Sequence, residues 1–391
     1  MPAPARRAAL EGNGQFPLSR APSRFSFSRT PSKTSQDIGE RAFAFAKACG
    51  IIGKSFIGKR ISPLGKLHSL NELDRLVFPE IARELPGREL LVDLENRILQ
   101  RTTRHILAVI DSFSSPPELL IRQLRACEYT DLKTCLHYIS AGKTNPPVLS
   151  DIGRFRTVRF KAYPDLAAML SDTEFEFILS KDLKAMKTAD FDFTPLEAEL
   201  DLHYYTLLLQ SLSRLSSADS VLVRRILADE ISLRNCVWAL RLRTYFKKRP
   251  DETAKYLMDQ KISCDGAEIP GVIRPKNSGG EVSLADEAYT SLGFSLDTRS
   301  DWKNWRWESL LNPEKAGEHW FADPRFFQNA ASRYVYRLSS RCFRLMPFSI
   351  NSIFCYIKLK QFEEDLLTSI TEGLGLGMAG KDVFDLLEAP V

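Results

Sequence analysis

Residues 222–236 read Leu-Val-Arg-Arg-Ile-Leu-Ala-Asp-Glu-Ile-Ser-Leu-Arg-Asn-Cys, and this stretch indicates how the chain is built. Its apolar residues recur three and four positions apart, the spacing of one helix face. A similar amphipathic helix occupies 120–135, and a fainter third copy occupies 353–366. The repetition predicts three similar helical units arranged around a common axis. The acid shared by the three copies is Glu128, Glu230 and Glu363.

Amphipathic helices resemble one another, so the alternative is that these acids are ordinary surface residues or helix salt-bridge partners. The remainder of the chain from Asp37 onward also has helical periodicity. Strand-like alternation is confined to 156–160, and one short strand does not make a sheet. The sequence therefore predicts an all-α fold. Four Ser/Thr-x-x-Glu capping boxes mark predicted helix starts, at Ser69, Ser115, Ser171 and Thr194.

The predicted organisation is a disordered tail followed by one helical body. Residues 1–36 contain five prolines and little that could be buried, which is typical of disorder or of a start site assigned too early. The Arg- and Ser-rich, acid-poor composition also resembles an organelle transit peptide, although the helical periodicity of such a peptide is weak here. Gly, Pro, Ser and Asn cluster in 262–301 and predict a loop or insertion there. The three units then span roughly 37–150, 151–261 and 302–391. The tryptophans directly after the insertion are expected to anchor it to the body.

The net charge of +5 lies in the tail, since residues 1–36 hold six of the 54 basic residues and one of the 49 acidic residues. The body is electrically balanced, which argues against a broad basic surface for duplex nucleic acid. No apolar run approaches the ~20 residues of a membrane span. The seven cysteines are scattered without zinc spacing and are expected to be reduced thiols in a cytosolic protein.

No motif predicts catalysis, a cofactor or a metal. The run from Gly375 to Lys381 satisfies most of a phosphate-binding loop, but Asp382 stands where Ser or Thr is required. The run also follows a helix rather than a strand, so we interpret its glycines as a helix end and turn. The five histidines lie in separate segments without metal-ligand spacing.

Three stretches in order resemble the C/d-subunit family of V-type and archaeal-type (A-type) rotary ATPases. Residues 41–56 resemble the aromatic–Ala–aromatic–Ala opening helix of that family. Residues 230–241 resemble its Glu-x-Asp-x-x-Asn helix followed by Leu-Arg, and 347–363 resemble its Pro-Phe ending with Tyr, Lys and Glu. The resemblance covers roughly 37–380. It departs from the pattern at Ser232, where Asp is frequent, and at Leu367 and Thr368, where Arg and Asn are expected.

The resemblance implies a funnel-shaped body with a pseudo-threefold axis and no catalytic site. Such a protein would lie at the cytoplasmic face of the membrane, between the central shaft (D and F type subunits) and the rotor ring. It would transmit rotation within a hetero-oligomeric complex that moves H⁺ or Na⁺. The alternative is a helical scaffold or adaptor whose basic tail contacts anionic lipid or nucleic acid. Interface or structural roles are predicted for Glu128, Glu230, Arg234, Asn235, Arg241 and Glu363.

Overall fold

The computed structural model describes residues 33–387, except 82, 84, 183–184, 188–190 and 264–280. The predicted tail therefore lies almost wholly outside the described residues, and the first helix begins at Lys33. The all-α prediction is confirmed. The helices are α1 (Lys33–Ile52), α2 (Leu70–Val77), α3 (Gly87–Ile110), α4 (Glu118–Leu124), α5 (Ala126–Ser140), α6 (Leu166–Leu170), α7 (Thr194–Ser211), α8 (Ser217–Thr244), α9 (Pro250–Ala254), α10 (Asp286–Leu292), α11 (Pro324–Leu345), α12 (Ile350–Gly375) and α13 (Gly380–Leu387).

Short 3₁₀ turns and one small hairpin connect these helices. The described strands are β1 (Lys261–Ser263) and β2 (Glu281–Ser283), which pair antiparallel. The strand-like residues 156–160 do not form a strand, and their last residue begins a 3₁₀ turn. The 3₁₀ turns are Gly58–Lys66, Gly153–Phe155, Phe160–Ala162, Glu176–Ser180, Ala185–Lys187, Leu212–Arg214, Arg299–Trp302 and Glu308–Leu310.

Two of the predicted capping boxes coincide with helix starts. The Ser69 hydroxyl accepts the N–H of Glu72 at 3.3 Å, so Ser69 is the cap of α2. The helix predicted at Thr194 begins there, but the Asp192 carboxylate accepts the Thr194 N–H at 3.0 Å. An acceptor two residues earlier thus takes the capping role that was predicted for the Thr194 hydroxyl.

The predicted starts at Ser115 and Ser171 are wrong. Helix α4 begins at Glu118, three residues after Ser115, because two prolines intervene and Pro117 takes the cap position. Ser171 follows the end of α6, and its hydroxyl donates to the Ala167 carbonyl at 2.6 Å. A serine hydroxyl can close a helix as readily as open one, which local spacing does not reveal.

The repeated segments are helical in the structure, and the first is divided between α4 and α5 at Arg125. Within the described residues, buried apolar side chains form three clusters. Helix α8 contributes to two of them and α12 to two, so these two long helices join the clusters. Helix α12 also packs against α3, α4, α8 and α11.

Helix α1 ties together the starts of the three repeated helices. The Glu40 carboxylate accepts the N–H of Ser114, just before α4, at 3.2 Å. The Arg41 guanidinium contacts Asp219 in the first turn of α8 at 2.8 Å. Asp219 in turn accepts the N–H of Ile350, the first residue of α12, at 3.0 Å. Two adjacent residues of α1 therefore bring the three starts to the same end of the molecule.

The described part of 262–301 is held to the body by α10 and by buried tryptophans. Helix α10 packs against α8, and Trp302 and Trp307 are fully buried. The Trp305 indole donates to the Glu287 carbonyl at 3.1 Å, and the Trp307 indole donates to the Ser232 hydroxyl at 3.2 Å. These aromatic residues therefore connect this region to α8.

The glycines near the C-terminus have packing roles. Gly375 ends α12, and Gly377 follows with a φ of 83°, a conformation that favours glycine. The Gly380 N–H donates to the Leu67 carbonyl at 2.8 Å. A Cβ atom on Gly380 would collide with the Leu64 carbonyl oxygen, so the backbones meet closely there. This agrees with the interpretation of the glycine run as a helix end and turn.

Candidate functional site

The candidate site is an open groove between α8, α11 and α12, which we call the three-helix groove. Its central cavity has a volume of about 370 Å³. Two adjoining cavities, of about 400 and 470 Å³, share Gln328 of α11 with it and extend it toward either side. The central cavity is lined by both charged and aromatic side chains, among them Glu230, Arg234, Arg241, Trp238, Lys358 and Phe362.

An alternating series of charges crosses four helices beside this groove. Lys133 Nζ of α5 lies 2.7 Å from Asp201 Oδ1 of α7. The other carboxylate oxygen of Asp201 accepts from Arg234 of α8. One helical turn before Arg234, Glu230 Oε1 lies 2.7 Å from Lys358 Nζ of α12. Because each charge has an opposite neighbour, the series holds α5, α7, α8 and α12 in fixed relative positions.

One carboxylate on α12, that of Glu364, is less acidic than an isolated side chain. Its neighbour Asp365 is exposed on the groove surface. Burial, with repulsion from Asp365, raises the pKa of Glu364 to about 8. Groups on a concave surface lose hydration in this way, which disfavours their charged forms. A cationic partner entering the groove would favour the ionised forms.

Three of the six residues predicted from sequence line this groove, namely Glu230, Arg234 and Arg241. Arg241 is exposed, and its guanidinium lies 3.3 Å from the Gln328 side-chain oxygen. Glu230 and Arg234 belong to the charge series, so they both line the groove and brace it.

Asn235 has a different position, on the buried side of α8. Its side-chain nitrogen donates to the carbonyls of Met258 at 3.1 Å and Leu284 at 2.8 Å. Its oxygen accepts the Met258 N–H at 2.9 Å. The amide therefore fastens the chain on both sides of β1 and β2 to α8.

Glu128 and Glu363 lie in the interior, away from the groove. Glu128 is fully buried and accepts the N–H groups of Thr157 and Val158, both at 2.6 Å. Glu363 accepts the Phe56 N–H at 2.8 Å and is also contacted by Lys360. Two of the three recurring acids thus bind backbone N–H groups of distant segments.

We expect Glu128→Gln to lower the free energy of unfolding by about 2 kcal/mol. With its oxygen in the Oε1 position, the amide still accepts both N–H groups, but these bonds lose the negative charge of the carboxylate. The Thr157 hydroxyl, which donates to Oε2 at 3.0 Å, then faces an NH₂ group and must turn to accept. Urea unfolding followed by circular dichroism measures the change. Glu118→Gln is the control, because Glu118 forms a partly exposed pair with Arg122 worth under about 1 kcal/mol. Equal losses in the two variants would contradict this role of Glu128.

Sequence reasoning missed Lys358, Asp365 and Gln328 as groove residues. Lys358 and Asp365 are seven residues apart on α12 and therefore share a face with Phe362. The seven-residue spacing can be seen in the sequence. It does not predict a groove, however, because charged residues on one helix face usually point into solvent. Only the packing of α11 beside α12 brings Gln328 opposite them.

The described residues contain no cluster of three His, Cys, Asp or Glu side chains suited to a metal ion. In the same part of the chain, no helix has the length and apolarity needed to cross a bilayer. The six described cysteines are free thiols, four of them buried, and Cys264 lies outside the described residues.

The fold and groove define a helical protein with a charged, concave surface. The family described as "ATP synthase (C/AC39) subunit" matches residues 80–383. The chain therefore belongs to this family, the C/d subunits of V/A-type ATPases. The match covers the groove and all six residues predicted from sequence.

One curated relative covers nearly the whole body. It is an uncharacterised protein of Treponema pallidum (strain Nichols), 25% identical over 341 residues, which are 86% of this chain and 93% of the relative. The similarity therefore extends over most of both proteins.

Proposed function

We propose that this protein is the non-catalytic central-stalk subunit of a V/A-type ATPase, coupling the rotating shaft to the membrane rotor ring. The three-helix groove supports this function, because the chain belongs to the C/AC39 family and the groove lies within the matched residues. The groove would receive the end of the shaft, formed by D and F type subunits. Rotation driven by ATP turnover elsewhere would then pass through this body to the ring and move H⁺ or Na⁺.

The groove has the composition of a protein interface. Trp238, Tyr336 and Phe362 supply aromatic surface, and Arg241 supplies an exposed guanidinium. Aromatic residues and arginine carry much of the binding energy where proteins associate. The charge series behind the groove would keep its walls stiff, as torque transmission requires.

The joined helix starts support a funnel with a pseudo-threefold axis. Helices α4, α8 and α12 begin at one end around α1. Three repeated segments that begin at one end of the body are what a pseudo-threefold axis through that end requires. In this arrangement the protein is peripheral to the membrane, at its cytoplasmic face, and holds no cofactor.

The test is copurification of the tagged full-length chain with ATPase subunits, identified by mass spectrometry. We expect Asp365→Lys combined with Arg241→Glu to reduce recovery of the shaft subunits at least tenfold, because the two exposed charges of the central cavity are reversed. These residues are better probes than Glu230, whose loss would also break the contact with Lys358.

The matched control is Glu314→Lys combined with Lys255→Glu, two exposed residues outside the groove. Both variants should melt like the wild-type protein, and the control should recover shaft subunits normally. Normal recovery by the groove variant would contradict the docking site. Absence of every ATPase subunit from the wild-type sample, or ATP turnover by the purified protein alone, would contradict the coupling function.

A further inference from the structure

Helix α11 is strongly basic. Between Pro324 and Leu345 it contains five arginines and no acidic residue. Four of them follow one another at spacings of four, four and three residues, so they share one side of the helix. We call this side the arginine face, formed by Arg333, Arg337, Arg341 and Arg344.

Two members of this face are not neutralised by the body. Arg337 and Arg344 are exposed, and no carboxylate of the described residues lies within 4 Å of either guanidinium. Arg333 is half-buried and donates to the Leu387 carbonyl at 2.7 Å. Like charges four residues apart destabilise a helix by about 0.2–0.5 kcal/mol per pair. The spacing of these arginines therefore does not serve the stability of α11 itself.

Exposed apolar side chains continue the arginine face at the end of α11. Leu345 is 51% exposed and Phe348 is 52% exposed. Phe348 has a φ of 62°, which is unfavourable for a bulky residue, and its ring packs on Phe45 of α1 at 5.3 Å. Its backbone is thus held in a strained conformation while half of the side chain meets solvent.

Further basic residues precede α1, which packs beside this end. Residues 1–32 contain five arginines and one acidic residue. The ring of Phe45 also lies 5.2 Å from that of Phe343 in the last turn of α11. Phe45 therefore holds the end of α11 that carries Arg344 and Leu345, together with Phe348, against α1.

We propose that the arginine face, with Leu345 and Phe348, binds the headgroups of anionic phospholipids at a membrane surface. Guanidinium groups bind phosphate with two parallel hydrogen bonds, and each basic residue near an anionic bilayer contributes about 1 kcal/mol. Protruding Phe and Leu side chains match the boundary between headgroups and acyl chains. Vesicles of pure lipid separate this occupant from an acidic protein surface, since they offer phosphate and acyl chains but no carboxylate side chain.

The experiment is cosedimentation of the full-length protein with vesicles at 100 mM NaCl. One set contains 30% phosphatidylserine in phosphatidylcholine, and the other is pure phosphatidylcholine. We expect binding to the first set only, lost at 500 mM NaCl because salt screens the attraction. Arg337→Gln combined with Arg344→Gln should weaken partitioning about thirtyfold, which corresponds to two contributions of about 1 kcal/mol.

The matched control removes the same charge elsewhere, with Lys255→Gln and Lys303→Gln, and should bind like the wild type. Phe348→Asn, which tolerates the left-handed backbone, should weaken binding without changing its salt dependence.

Equal binding by the arginine variant and the control, or no binding by the wild type, would overturn the proposal. The arginine variant could instead bind vesicles normally but no longer copurify with ATPase subunits. That result would overturn the lipid proposal and assign the arginine face to a protein partner. Purified vesicles carry no ATPase subunit, so the result is independent of the proposed coupling function.

Discussion

Glu363→Gln is expected to lower the free energy of unfolding by about 3–4 kcal/mol. Lys360 and Glu363 are both about 1% exposed, and their side chains are in direct contact. Arg101 lies 3.4 Å from the same carboxylate. With an amide in place of this carboxylate, the Lys360 ammonium loses the acid in direct contact with it and keeps the uncharged Ser55 hydroxyl at 3.1 Å, with Glu364 as a more distant acid. Removing one member of a buried ion pair costs about 3–5 kcal/mol.

The second substitution Lys360→Met tests this explanation. It removes the uncompensated ammonium while the introduced amide still accepts the Phe56 N–H, so at least half of the lost stability should return. Glu364→Gln is the control on the same helix. Since burial raises the pKa of Glu364 to about 8, this carboxyl is largely neutral at pH 7 and its substitution should change little. No recovery in the double variant would contradict the ion-pair account.

The pH dependence should have a definite sign. Burial would raise the pKa of Glu363, but Lys360, Arg101 and the Phe56 N–H together lower it below its ordinary value. A depressed carboxyl pKa adds stability above the unfolded-state pKa of about 4.3, and this is lost as pH falls through the folded-state value. The stability difference between wild type and Glu363→Gln should therefore be roughly constant from about pH 5 to 8 and shrink below about pH 4.

Asp229→Asn is expected to cost about 3 kcal/mol. Asp229 is 1% exposed and accepts from Tyr334 at 2.8 Å and Arg225 at 3.3 Å. Its other oxygen accepts from Arg306 at 2.5 Å. An amide in this place replaces one accepting oxygen by an NH₂ group, which cannot accept from the donor that faces it. The two buried guanidinium groups, those of Arg225 and Arg306, also lose their negative partner.

Urea unfolding followed by tryptophan fluorescence measures this loss, since the Trp307 ring lies edge-on against Tyr334 and beneath the Arg306 guanidinium. Asp251→Asn serves as the control, because Asp251 and Arg249 are both largely exposed and such pairs contribute under about 1 kcal/mol. If the two variants unfolded at the same urea concentration, the buried network would not be holding the 299–311 region to α8 and α11.

Local patterns in the chain were enough to predict the helical class and several elements. Apolar residues at helical spacing predicted the segments that became α8 and α12, and Ser69 was correctly placed as a cap. These features depend on neighbours within four residues, which is why periodicity and capping spacing report them. The same rules failed at Ser171, because a local hydroxyl can bond in either direction along the chain.

The roles of individual acids depended on contacts between distant segments. Glu128, Glu230 and Glu363 occupy matching positions in the repeated helices, yet two are buried against backbone N–H groups and one lines the groove. Their partners lie 29, 128 and 307 residues away in the chain. The chain alone thus predicted an all-α body, a repetition of amphipathic helices and a resemblance to the C/d subunits. Which of these acids is buried in the core and which lines the groove was decided by helix packing. Burial and ion pairing arise only when helices that are distant in the chain come into contact.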